Sequence, residues 1–131
     1  VARYIDGEDW LPYNHASGDL SGACYPEKGV TTTQIGDYAW YAGNSGNTKH
    51  PVAGKGSNPF GLYDMAGNVW EICFDMHRYQ DPNNPEKDCR VIRGGYFSAD
   101  TGSHNLLASY ENRAYSDQAD DFTGFRLAYT D

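Results

Sequence analysis

A chain of 131 residues suffices for one domain around a single hydrophobic core, and at a mean hydropathy of −0.73 it holds no run near the roughly 18 apolar residues of a membrane-spanning helix. The formal net charge is −8, and the 10 Lys and Arg are scattered, which disfavours nucleic acid because phosphate binding needs clustered cations. Aromatic residues are abundant, with 11 Tyr, 5 Phe and 3 Trp, and tyrosine suits a surface that is apolar and hydrogen-bonding at once, so a binding surface is expected.

The opening Val1 is not an initiator methionine, which points to a fragment or a processed product. Residues 1–37 read as mostly irregular, with turn chemistry at Asp6-Gly7-Glu8-Asp9, Asn14-His15-Ala16-Ser17-Gly18-Asp19 and Pro26-Glu27-Lys28-Gly29. Tyr38–Tyr41 reads as a short strand ahead of the Gly43–Asn47 loop. From Val69 to Asp75 the residues alternate, with Trp70, Ile72 and Phe74 on one face and Val69, Glu71, Cys73 and Asp75 on the other. Lys87–Ile92 leads into a Gly94-Gly95 break, and residues 105–112 alternate weakly. Thr123–Tyr129 alternates well and puts Phe125, Leu127 and Tyr129 on one face. With 15 Gly and 6 Pro spread throughout, the expectation is a single loop-rich α+β domain over 1–131, with short antiparallel strands and little regular secondary structure. Cys24, Cys73 and Cys89 form no metal-binding pattern, and the odd count leaves reduced thiols or one disulfide with a spare.

Ahead of the alternating strand stands Phe60-Gly61-Leu62-Tyr63-Asp64-Met65-Ala66-Gly67-Asn68. Gly67-Asn68 suits a reversal in which the backbone takes positive φ. Asp64 and Glu71 flank that reversal, and a hard cation such as calcium takes carboxylates and backbone carbonyls from a loop of this kind. The residues alone leave two readings: a calcium site, or a turn capped by Asp64 with Glu71 solvated.

Three blocks, Phe60–Glu71, Arg90-Val91-Ile92-Arg93-Gly94-Gly95 and Gly124-Phe125-Arg126, together resemble the formylglycine-generating enzyme family, also called sulfatase-modifying factor domains. The stretch Ala39–Asn47 leading to His50-Pro51-Val52 adds to the resemblance, which covers roughly residues 38–129. It implies a C-type-lectin-like fold, of which this chain is the C-terminal part, the N-terminal half being supplied elsewhere in the protein or by a second chain. It also implies a structural calcium ion with side-chain ligands Asp64 and Glu71 and backbone carbonyl ligands Gly67 and Val69.

The family's oxidases bind copper through two cysteines between the second and third blocks and convert a protein cysteine to formylglycine. Here the matching positions are His104 and Ser109, and no cysteine follows Cys89. One imidazole and one hydroxyl are a poor substitute for the thiolates that hold monovalent copper, so no copper and no catalytic residues are expected. The alternative is a formylglycine-generating oxidase or a related metal-dependent oxidoreductase. A related branch binds iron through histidines of a separate helical domain, and His15, His50, His77 and His104 show no ligand spacing.

Residues 96–123 mix Tyr, Ser, Gly, Asn and Asp in the manner of a paratope, where rigid aromatics give contact area and small polar residues give adaptable hydrogen bonds. The expected contacts are Tyr96, Phe97, Ser98, Asp100, His104, Tyr110, Asn112, Tyr115, Asp117 and Phe122, facing a protein or glycan ligand. Some domains of this family are variable proteins of diversity-generating retroelements, whose surface Asn codons are randomised at adenines. Every residue from 96 to 105 is one that a mutated Asn codon produces, whereas Glu111 and Gln118 fall outside that set. The competing reading is a non-catalytic family member whose loop has drifted.

Overall fold

Backbone chemistry around Gly67-Asn68 organises the computed structural model, which describes residues 32–58, 60–77, 82–83, 87–100, 104–106, 110–115 and 117–128. Both residues take positive φ, 75° at Gly67 and 63° at Asn68, as a reversal ahead of a strand requires. The buried Asn68 then ties three segments together. Its amide donates to the Trp40 carbonyl at 2.8 Å, its side-chain oxygen accepts from the His50 amide at 2.9 Å, and its carbonyl accepts from the Phe97 amide at 2.9 Å.

The chain runs through helix α1 (Thr32–Tyr38), strands β1 (Trp70–Met76) and β2 (Cys89–Arg93), a 3-10 turn (His104–Leu106), and strands β3 (Asn112–Tyr115) and β4 (Thr123–Gly124). The sheet order is β3-β2-β1-β4. β1 pairs antiparallel with β2 through Glu71↔Arg93 and Ile72↔Ile92, with a register shift before Met76↔Arg90. β2 pairs antiparallel with β3 from Cys89↔Tyr115 to Ile92↔Asn112. Among the described residues, few helices, one small sheet and long loops match the loop-rich expectation.

Three local expectations need correction. Of residues 1–37, read as mostly irregular, 1–31 lie outside the described residues and Thr32–Tyr38 forms α1, while the strand at Tyr38–Tyr41 gives way to an isolated bridge between Trp40 and Gly67. Thr32, Thr33 and Gly36 are weak helix formers, so local propensity hides this helix. Packing and capping support it: Ile35 and Ala39, four apart, are buried in the core. The carbonyls at its C-terminal end are satisfied by Lys55 Nζ on Gly36 at 2.6 Å, the Gly56 amide on Asp37 at 2.8 Å and Asn44 Nδ2 on Ala39 at 2.9 Å.

The second correction is the direction of β4, which pairs parallel to β1 through Trp70↔Thr123 and Glu71↔Gly124, so the sheet is not wholly antiparallel. The third is its length. The alternation at 125–128 forms no strand and leaves Phe125 and Leu127 exposed, because β1 offers β4 only two partners. Tyr129 lies outside the described residues. Alternation in β1 is real, but its apolar face is covered only at its start: Trp70 is 5% exposed, Ile72 43% and Phe74 93%.

The core comprises Ile35, Ala39, Tyr41, Ala66, Ala99 and Leu106, with Tyr96 packed against it. Ser45 is buried beside it and donates its hydroxyl to the Phe97 carbonyl at 2.7 Å, which clamps the 41–50 loop to the segment after Gly94-Gly95. Cys73 and Cys89 are free thiols, and burial pushes the Cys73 thiol up from its ordinary value. Among the described residues no helix is long and apolar enough to cross a membrane.

Candidate functional site

The sharp turn at Gly94-Gly95, with φ of 93° and 78°, delivers Tyr96 and Phe97 beside the start of β1. There an aromatic cluster forms from residues far apart in sequence. The Tyr96 ring stacks on Trp70 at 6.0 Å and meets Phe122 edge-on at 5.4 Å, while Phe97 lies 5.7 Å from Phe122. Tyr110 sits 6.2 Å from Trp70 on the other side. Such ring pairs add about 0.5–1.5 kcal/mol each beyond the area they bury.

Tyr96 and Phe122 form the common wall of two clefts. One, of about 440 Å³, runs over the sheet and is lined by Trp70, Ile92, all of β3, Asn105, Gln118 and Asp120. The pairings Ile72↔Ile92 and Ile92↔Asn112 put Ile92 and Asn112 on the apolar face of β1. The other, of about 520 Å³, is lined by Asn47, Thr48, Lys49, Phe97, Ser98 and Asp121. Its rim is fastened by Lys49 to Asp121 at 3.3 Å and by a Ser98 to Asn47 hydrogen bond.

Of the expected contact residues, Tyr96, Asn112, Tyr115 and Phe122 share the first cleft, and Tyr96, Phe97, Ser98 and Phe122 the second. Phe97 is only 6% exposed, so it supports the wall from behind. Asp100 and Asp117 are exposed and line neither cleft. The Lys87 ammonium donates to Asp117 at 2.8 Å and holds its carboxyl below the usual carboxylate range. The His104 side chain and Ser109 lie outside the described residues. Trp70, Arg113, Asn47 and Lys49 were missed as lining residues. Trp70 reads from sequence as an ordinary strand residue, and the 47–49 loop reaches the site only through the tertiary fold.

On the opposite face of β1 a third cleft, of about 420 Å³, brings together Asp64, Gly67, Val69 and Glu71, the four expected calcium ligands, with Arg126. Asp64 takes positive φ, 53°, and its Oδ2 accepts from the Ala53 amide at 2.6 Å. Its Oδ1 is buried with no hydrogen-bond partner, the kind of oxygen a hard cation would satisfy. Glu71 instead accepts from Arg126, with Nε at 3.0 and 2.9 Å from its two oxygens and a terminal nitrogen at 2.5 Å. That terminal nitrogen also donates to the Tyr63 and Asp64 carbonyls at 2.9 and 3.1 Å, and the hydrogen bond to Glu71 raises the Arg126 pKa further. Both oxygen-rich donors and a competing guanidinium are therefore present. Among the described residues no group of three or more His, Cys, Asp or Glu is arranged to hold a metal.

A model of the sulfatase-modifying factor enzyme 1-like domain matches residues 9–130. The chain belongs to the sulfatase-modifying factor family. The match extends the resemblance upstream of the three blocks. The chain is similar to the chaperone protein LppX of Paenibacillus barcinonensis, 41% identical over 61 residues, which are 46% of this chain and 21% of that one. The inactive C-alpha-formylglycine-generating enzyme 2 of Bos taurus is 38% identical over 74 residues, 54% of this chain and 23% of its own length. Among solved structures, Treponema denticola variable protein 1 superposes with a TM-score of 0.58 at 31% identity, covering 72% of this chain and 37% of that one. The chain thus covers well under half the length of each of these three proteins.

Proposed function

We propose that this sulfatase-modifying factor domain is a non-catalytic, C-type-lectin-like binding module whose contact surface is the pair of clefts around Tyr96 and Phe122. The observation that carries the reading is the shared aromatic wall. Rigid rings lie at its centre, and polar side chains such as Asn47, Thr48, Ser98, Asn112, Gln118 and Asp120 surround them, the composition of an adaptable protein or glycan contact. Similarity to a variable protein and to an enzyme named inactive supports it.

The finer reading is a diversified binding protein of a retroelement, supported by the Asn-codon-compatible residues at 96–105. Sequencing the DNA on both sides of the gene tests it. The expected result is an adenine-rich near-copy of the codons for residues 96–123 beside a reverse transcriptase. Flanks that carry only an in-frame half-domain or a sulfatase gene overturn it. The non-catalytic reading has a separate test: high-affinity stoichiometric copper and an aldehyde product from a cysteine peptide under oxygen would establish the oxidase instead.

The same proposal includes a structural calcium ion held by Asp64, Gly67, Val69 and Glu71, supported by their convergence on one cleft and by the unpartnered Asp64 Oδ1. Calcium there would pin the reversal before β1 and leave the chemistry of the aromatic clefts untouched. A melting temperature that chelation does not lower, and that restored calcium does not raise, overturns it.

A further inference from the structure

We propose that Arg126 is a built-in cation that competes with calcium for the Glu71 carboxylate, so that the ion binds by exchanging with the guanidinium. The inference rests on the calcium reading above and concerns what must move for it to hold. Four oxygens surround the guanidinium: both Glu71 carboxylate oxygens, the Tyr63 carbonyl and the Asp64 carbonyl. Of these, the Glu71 oxygens also belong to the calcium ligand set, so Glu71 is the contested group, and carboxylate oxygen is what a hard divalent ion selects. A planar guanidinium fills such a shell incompletely, because its donors lie in one plane. The residue it leaves unsatisfied is the buried Asp64 Oδ1, which lines the same cleft.

Both Glu71 oxygens already accept from the guanidinium, whose charge repels a divalent ion a few ångströms away, so calcium draws on Glu71 at the expense of that ion pair. Release of Arg126 breaks no strand pairing, since residues 125–128 form no strand and the β1–β4 ladder ends at Gly124. Phe125 and Leu127 on either side of it are exposed and hold it through no buried packing. The cost of the exchange is thus the ion pair and two carbonyl hydrogen bonds.

Calorimetric titration of the full 131-residue chain with calcium chloride, alongside Arg126→Gln and Glu71→Gln, tests the exchange. Arg126→Gln should bind calcium about tenfold more tightly, the equivalent of one charge-assisted hydrogen bond no longer to be broken, and Glu71→Gln about tenfold or more weakly. In the unsubstituted chain, the Arg126 Nε–H resonance should shift towards that of a free guanidinium as calcium saturates, a readout independent of whether the variants fold. An Nε–H signal unmoved at saturation, or a folded Arg126→Gln with equal or weaker affinity, overturns the exchange while leaving the calcium reading standing. No calcium binding by the unsubstituted chain overturns both.

Discussion

Two clefts of similar volume, about 420 and 440 Å³, lie on opposite faces of the start of β1, because Trp70 and Glu71 are neighbours on an alternating strand. Their construction differs. The carboxylate cleft is framed by backbone in left-handed conformations at Asp64, Gly67 and Asn68 and by hydrogen bonds to main-chain atoms. The aromatic cleft is framed by side chains that stack, with an exposed polar rim. Backbone geometry tolerates few substitutions, whereas a rim of exposed side chains tolerates many. One face is suited to constancy and the other to change.

The largest effect should come from the constant face. A Cβ at Gly67 would collide with the Trp40 carbonyl, at a φ that L residues rarely adopt. Gly67→Ala should therefore cost about 3 kcal/mol or more, or prevent folding, as read by urea unfolding. Asn68→Ala removes a buried amide that bonds the His50 main chain twice, and should cost about 2 kcal/mol in the same assay. If either variant is as stable as the parent, the backbone frame is not what holds this face.

On the changeable face, Tyr96→Ala should abolish ligand capture and cost about 2 kcal/mol, since the ring packs against both the core and Phe122. Asn112→Ala and Gln118→Ala, at exposed rim positions, should alter which ligands bind while stability stays within about 0.5 kcal/mol. A stability loss at Asn112 or Gln118 as large as that of Asn68→Ala would erase the contrast between the backbone frame and the exposed rim. The smallest effect concerns Asp117. Its carboxyl is depressed by the hydrogen bond from Lys87, so that contribution is present above the ordinary carboxylate pKa and lost as pH falls through the lower folded value. Lys87→Ala should return the Asp117 titration, followed by NMR, to the ordinary range. An unchanged titration would show that Lys87 does not hold it.

Much of the carboxylate face was legible because its causes are local. Gly67-Asn68 announces positive φ, and Asp64 and Glu71 stand at fixed distances from that turn. Arg126 is legible only as the last residue of the Gly124-Phe125-Arg126 block. Nothing local reveals that it reaches Glu71, 55 residues away. The aromatic face was legible as composition but not as arrangement. Tyr96, Tyr115 and Phe122 stood out by type, yet Phe97 is in the same run and is buried, a difference made by the turn at Gly94-Gly95 and by the Asn68 and Ser45 hydrogen bonds to its backbone.

By itself the sequence determined the family, through its three blocks, and the reversal before β1 and the alternation of β1, which depend on steric preferences of adjacent residues. Tertiary structure alone decided that α1 forms, that β4 runs parallel to β1 for two residues and stops, and that Trp70, Tyr96 and Phe122 share one wall. Each of these depends on partners distant in sequence, whose burial and hydrogen bonds outweigh local propensity.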